Sequence, residues 1–266
     1  MSTPATGKWG DLGPRVASAL GMVIVALWAI WVGGIVFSIL VAIVCGLMVW
    51  ELIRMLAPTQ ASAAWQMGGL GAVAVFCVSL VPLAFALPIL VAPAIVAGQR
   101  IGAYRKTCIA YMCLVTVAGF GLIMVRSELS IGWILWLIAL VVASDVMGYF
   151  AGKTFGGPKF WPAVSPKKTW SGTVAGWVGA ACVGLFFGAG SGILMPVVLA
   201  SIILAFAAQM GDIAESAIKR RTGVKDSSNL IPGHGGVLDR FDGVIGAAAV
   251  FLVLSLVASF PVGMLP

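Results

Sequence analysis

No charged residue interrupts positions 16–49. A bilayer core is crossed by about 20 apolar residues, whereas a helix facing water needs a polar stripe. The solvent for this tract is therefore lipid. Gly33 and Gly34 divide it, so it reads as a helical hairpin of two spans, 16–32 and 34–51, meeting at a tight turn. A cleaved signal peptide is the competing reading, but no small-residue cleavage site ends the run and the rest of the chain is equally apolar. Of the 266 residues, 61% are hydrophobic and 9% charged, against about a quarter charged in soluble domains. Further apolar tracts, broken by charge, Pro or Gly, lie at 64–81, 83–98, 107–125, 131–150, 171–190, 193–211 and 243–262. The expected fold is all-α, a polytopic integral membrane protein with about nine transmembrane helices.

The junction at Val81 and Pro82 carries no charge, and Pro88 and Pro93 interrupt the fourth tract, so one kinked or re-entrant element is the alternative there. Positive residues are retained on the cytoplasmic side. With the N-terminus cytoplasmic, Lys8, Arg15, Arg54, Arg100, Arg105, Lys106 and every later Lys and Arg except Arg126 fall inside, and the C-terminus faces out. The five cysteines sit in or beside apolar segments without metal-site spacing, and read as packing residues. The chain reads as one membrane domain, 1–266. Residues 1–130 form N-terminal spans, and 131–262 form catalytic spans with cytoplasmic loops at 151–170 and 212–242.

Those two loops hold the chemistry. If the eighth helix continues past the membrane surface, Asp212, Glu215, Ser216 and Lys219 recur at i, i+3, i+4 and i+7 and share one face, with Gln209 a turn below. Asp239 and Asp242 share a face at the start of the ninth. Carboxylates from two helices at one depth make an oxygen site for Mg²⁺, which takes few carboxylates plus substrate phosphates. The turn Pro232-Gly233-His234-Gly235-Gly236 exposes backbone N–H groups suited to phosphate oxygens. Lys219, Lys225 and Arg240 interleave with the acids. His234, the single histidine, reads as structural or as a substrate hydrogen-bond donor. In the other loop, Asp145, Tyr149 and Lys153 recur every four residues, and Ser165, Lys167, Lys168 and Thr169 supply charge and hydroxyls for a polyphosphate. Gly172, Gly176, Gly184 and Gly188 form two small-xxx-small pairs for close helix packing.

The run Ser216-Ala-Ile-Lys219-Arg220, Lys225-Asp226 and Pro232-Gly-His234-Gly-Gly-Val-Leu-Asp239-Arg240-Phe-Asp242 resembles the signature of the phosphatidate cytidylyltransferases. Asp145 with Tyr149 and Gly152-Lys153, the element Ser165-Pro-Lys-Lys-Thr-Trp170, and Gln209-x-Gly211-Asp212 are similar too. The resemblance covers roughly residues 140–245 and departs at Ser171, where the family usually has glutamate. It implies transfer of a cytidylyl group from CTP to phosphatidic acid, giving CDP-diacylglycerol and pyrophosphate. It also implies a metal centre of Mg²⁺ and a second metal ion, held by Asp212 and Asp239. Lys219, Arg240 and Asp242 are then expected to serve catalysis, and Asp145, Lys153, Ser165, Lys167, Lys168, Ser216, Lys225, His234, Gly235 and Gly236 to bind substrate. Expected partners are CTP, phosphatidic acid, membrane lipids and a second copy in a homodimer, with no nucleic acid. The expected location is a bacterial-type plasma membrane with the site on its cytoplasmic face. A CTP-dependent polyprenol kinase and a transporter are the competing readings, the first wanting a general base and the second wanting ionisable groups near the midplane.

Overall fold

The computed structural model describes residues 12–257. Within them lie nine α-helices: α1 (Leu12–Val32), α2 (Gly34–Leu56), α3 (Ala61–Val78), α4 (Ala86–Ile101), α5 (Arg105–Glu128), α6 (Ile131–Thr154), α7 (Trp170–Gly188), α8 (Leu194–Thr222) and α9 (Leu238–Val257). Each matches an apolar tract to within several residues, save that α8 runs well past its tract of 193–211. Lys8, the C-terminus and the last residues of the tract 243–262 lie outside the described residues. Eight continuous helical stretches are long and apolar enough to cross a membrane, one of them being 46 residues, Leu83–Glu128. That stretch is folded on itself. Gly102 has φ 64°, a backbone state that favours glycine. It turns the chain so that Thr116 Oγ1 of α5 donates to the Leu90 carbonyl of α4 at 3.1 Å.

The protein is an integral membrane protein, and its outer faces bear this out. On α1, Val23, Ile24, Leu27, Trp28 and Trp31 are exposed, Trp31 at 75%, which only lipid tolerates in a row. The internal core runs through Met48, Leu52, Ile53, Met112, Trp133, Trp136, Leu140, Leu204 and Phe251. Trp136 Nε1 donates to Ser201 Oγ at 2.9 Å, so the buried indole is not left unpaired.

One end of the bundle gathers Gly34, Ser79, Leu80, Arg126 and Glu128 around a 520 Å³ cavity. Arg126, the exception to the charge asymmetry, has a specific task there. Its Nε and Nη2 donate to the Ile30 and Trp31 carbonyls at 2.6 and 3.2 Å, satisfying oxygens that the C-terminus of α1 leaves free. Gly33 (φ 67°) lies against that guanidinium, and any side chain would displace it.

The opposite end carries the polar segments. The segment 151–170 is not simply a loop: α6 runs to Thr154, and β1 (Lys159–Trp161) and β2 (Ser165–Thr169) form an antiparallel hairpin. The segment 212–242 begins as helix, because α8 does continue, to Thr222. It ends at Gly223 in the left-handed conformation (φ 75°), with Lys219, Arg220 and Arg221 in the last turn, where cations suit the helix dipole.

Candidate functional site

Two close helix crossings build the site. At the first, α8 meets α9 through Gly211 and Gly246: a Cβ on Gly211 would meet Asp242 and Gly246, and one on Gly246 would meet Ala207 and Gly211. Small residues let backbones approach in this way, and the carboxylates just beyond the crossing are brought together. Asp212, Glu215 and Asp242 each offer an oxygen within 4.8 Å of the other two. Glu215 is wholly buried at 0% exposure. Its Oε2 faces Lys219 Nζ at 2.5 Å, while its Oε1 has no hydrogen-bond partner. A buried carboxylate oxygen left unpaired is costly, and an all-carboxylate set that includes one fits a hard divalent cation.

The resemblance implied a metal at Asp212 and Asp239. The carboxylates grouped with Asp212 in the structure are Glu215 and Asp242. Asp239 stands on the other side of Lys219, whose Nζ reaches its Oδ1 at 2.7 Å. The remaining Asp239 oxygen accepts from Ser227 N, Ser227 Oγ and Gly236 N at 2.9, 2.9 and 2.8 Å. Lys219 thus bridges two carboxylates on adjacent helices.

At the second crossing, Gly148 of α6 packs on Gly172 of α7, and Gly176 packs on Ser144 and Gln209. Gly184 and Gly188 do the same against α8, facing Ser201 and Leu194. The expected small-residue packing is thereby accounted for. Thr169 caps α7, its Oγ1 accepting from Gly172 N at 3.2 Å. Ser171, the departure from the family pattern, hydrogen-bonds through Oγ to the Gly156 carbonyl and pairs with Thr169 Oγ1.

Between this corner and α8 lies a cleft of 420 Å³ lined by Asp145, Tyr149, Lys153, Ser165, Lys167, Lys168 and Asp212, among others. Lys168 Nζ donates to Asp212 Oδ2 at 2.7 Å and to the Gln209 carbonyl at 3.2 Å. Ser216 Oγ donates to the other Asp212 oxygen at 3.3 Å. Asp212 therefore belongs both to the carboxylate trio and to the lysine-lined cleft. Gln209 closes the bottom: its amide accepts from Trp177 Nε1 at 3.0 Å and donates to Ser144 Oγ and the Thr173 carbonyl at 3.4 and 3.2 Å.

The remaining expected residues are placed differently. His234 Nδ1 pairs with Ser18 Oγ of α1 at 3.0 Å, and its carbonyl accepts from Arg240 Nε and Nη2 at 2.9 and 2.6 Å. Both side chains thus tie the glycine turn in place. Gly235 (φ 83°) makes the turn itself, with Ile231 N donating to its carbonyl. Lys225 is exposed on the same segment. Sequence reasoning overlooked Glu51, which reaches this turn from α2. A lone carboxylate in an apolar tract is expensive without a partner, and that signal was present.

Comparison with known proteins identifies the family. Residues 13–258 match the model of the cytidylyltransferase family. A phosphatidate cytidylyltransferase of Brucella abortus biovar 1 is 34% identical over 94% of this chain and 96% of its own length. One from Helicobacter pylori (strain J99) is 43% identical over 52% of this chain and 53% of its own. One from Pseudomonas aeruginosa is 36% identical over 58% of each. The family match and the Brucella relative each span nearly the whole chain, glycine crossings and charged end included, and the chain belongs to the cytidylyltransferase family.

Proposed function

We propose that the protein is a phosphatidate cytidylyltransferase, forming CDP-diacylglycerol and pyrophosphate from CTP and phosphatidic acid. The observation that carries this reading is Asp212, which joins a carboxylate trio to a lysine-lined cleft. We assign Mg²⁺ to Asp212, Glu215 and Asp242, on the strength of the unpaired Glu215 Oε1. When bound, the ion supplies positive charge at the α-phosphoryl group and so offsets repulsion between two anionic substrates.

Lys153, Lys167 and Lys168 hold the triphosphate in the cleft. A lipid phosphate oxygen attacks the α-phosphorus, the bond from that phosphorus to the bridging oxygen breaks, and the electron pair leaves with pyrophosphate. The attacking oxygen is already deprotonated, so no strong general base is needed, in accord with a histidine engaged by Ser18. Lys219, shared between Glu215 and Asp239, keeps one positive charge beside the reacting phosphates. The reading includes nine membrane crossings, a cytoplasmic N-terminus and a site on the cytoplasmic face of a bacterial inner membrane, where the charge asymmetry puts it. It treats residues 131–262 as the catalytic part of one membrane domain. A homodimer forms no part of it.

The test is purified protein in phosphatidate-containing vesicles with CTP labelled at either the α- or the γ-phosphate. The α-label is expected in the lipid and the γ-label in pyrophosphate. Lipid labelled from the γ-position alone would establish a kinase and overturn the proposal.

A further inference from the structure

Glu51 and Glu215 are the two fully buried carboxylates among the described residues, both at 0% exposure. Glu51 belongs to the N-terminal half, near the end of α2, in neither polar segment. Its carboxylate is held entirely by residues 227–238. Ser228 Oγ and Val237 N donate to Oε1 at 2.5 and 2.9 Å, and Leu238 N donates to Oε2 at 2.6 Å. Ser227 Oγ lies 3.2 Å from Oε2 and also 2.9 Å from Asp239 Oδ2, so one hydroxyl proton serves two carboxylates. Val237 immediately precedes α9 and Leu238 opens it, and their N–H groups are among those a helix start leaves unpaired. A negative charge is favourable there.

Glycine at 236 follows from the same contact. A Cβ at that position would run into Ser227 Oγ and the Glu51 carboxylate. Ser227 and Gly236 also donate to Asp239 Oδ2, whose other oxygen holds Lys219. The peptide held by Glu51 on one side is therefore the peptide that orients Asp239 on the other.

We infer that Glu51 is a positioning residue for the transfer reaction: its carboxylate fixes the 227–238 turn and, through Ser227 and Gly236, the orientation of Asp239 and Lys219. It touches no substrate. The inference rests on the proposed cytidylyl transfer, since only then does a displaced Asp239–Lys219 pair lower a rate.

The experiment compares full-length wild type, Glu51→Gln and Ser228→Ala in vesicles of phosphatidate and phosphatidylcholine with α-labelled CTP, together with hydrogen exchange of the 227–238 amides. A glutamine must present its NH₂ to a backbone N–H that cannot turn away, whereas the serine hydroxyls can. Glu51→Gln is expected to lower kcat about tenfold or more and to leave KM for CTP within about threefold, as for a lost hydrogen bond to a charged group. Exchange at 237 and 238 should rise about tenfold while the amides of α6 keep wild-type protection. A kcat within about twofold of wild type, or unchanged exchange in the turn, overturns the inference. If Glu51→Gln does not fold, Ser228→Ala decides, with a several-fold lower kcat and faster exchange expected and wild-type values overturning it. A wild-type protein that makes no CDP-lipid refutes the parent proposal instead, and the exchange data then judge the clamp alone.

Discussion

Lys219 offers the sharpest perturbation, because a single ammonium neutralises two enclosed carboxylates. Its Nζ lies 2.5 Å from Glu215 and 2.7 Å from Asp239, with side-chain exposures of 15% for the lysine and 0% and 6% for its partners. Lys219→Met keeps most of the stem and removes the charge. Two buried carboxylates then face each other with no cation between them, and breaking a buried pair in this way costs about 3–5 kcal/mol. Unfolding of the variant measured in chelator, by heat or denaturing detergent, should show that loss. The anionic pocket should in turn gain more from a divalent ion than wild type does. Mg²⁺ at a hundred times its dissociation constant returns about 2.7 kcal/mol, so the unfolding midpoints should converge as Mg²⁺ is added. Stability in chelator within about 1 kcal/mol of wild type would refute the bridging role, since that is the scale of an exposed pair.

Three further outcomes are expected from the geometry. Glu215→Gln removes the buried oxygen that lacks a partner while Asp239 still holds Lys219, so half-saturation by Mg²⁺ should rise about tenfold or more in a titration of turnover, with the fold retained. Lys168→Met removes a cation 2.7 Å from Asp212 and should raise KM for CTP about tenfold in initial-rate measurements. Gly246→Val drives a branched side chain into the Ala207 backbone and should separate α8 from α9, read as loss of monodisperse protein in detergent, where Gly69→Ala, with open space around it, should leave the protein monodisperse.

The helices were legible because lipid imposes one rule on every span, an apolar run of sufficient length. Even the fourth tract, whose junction at Val81 and Pro82 carries no charge, emerged as a helix, with Gly102 supplying the reversal into α5 between Arg100 and Arg105. The face shared by Asp212, Glu215 and Lys219 was legible too, since it follows from helical spacing within one element. What spacing within one element cannot convey is which neighbour arrives across a crossing. The pairing of Asp212 with Asp239 came from the family resemblance, and spacing did not show that the contact at Gly211 and Gly246 brings Asp242 toward Asp212 while Asp239 meets Lys219 and the turn. The pairings of Ser18 with His234 and of Glu51 with Val237 join residues 216 and 186 positions apart. Only the folded bundle brings them together.

The amide of Gln209 has a consequence for the membrane itself. A polar notch lined with lysines, cut into a helical bundle, is an invitation for ions to seep toward the far side. Directly beneath Asp212, one side chain at 4% exposure is gripped by Ser144, Thr173 and Trp177 from two other helices. That grip makes a stopper: the amide that floors the lysine-lined cleft is held from both neighbouring helices and cannot swing aside without breaking those bonds.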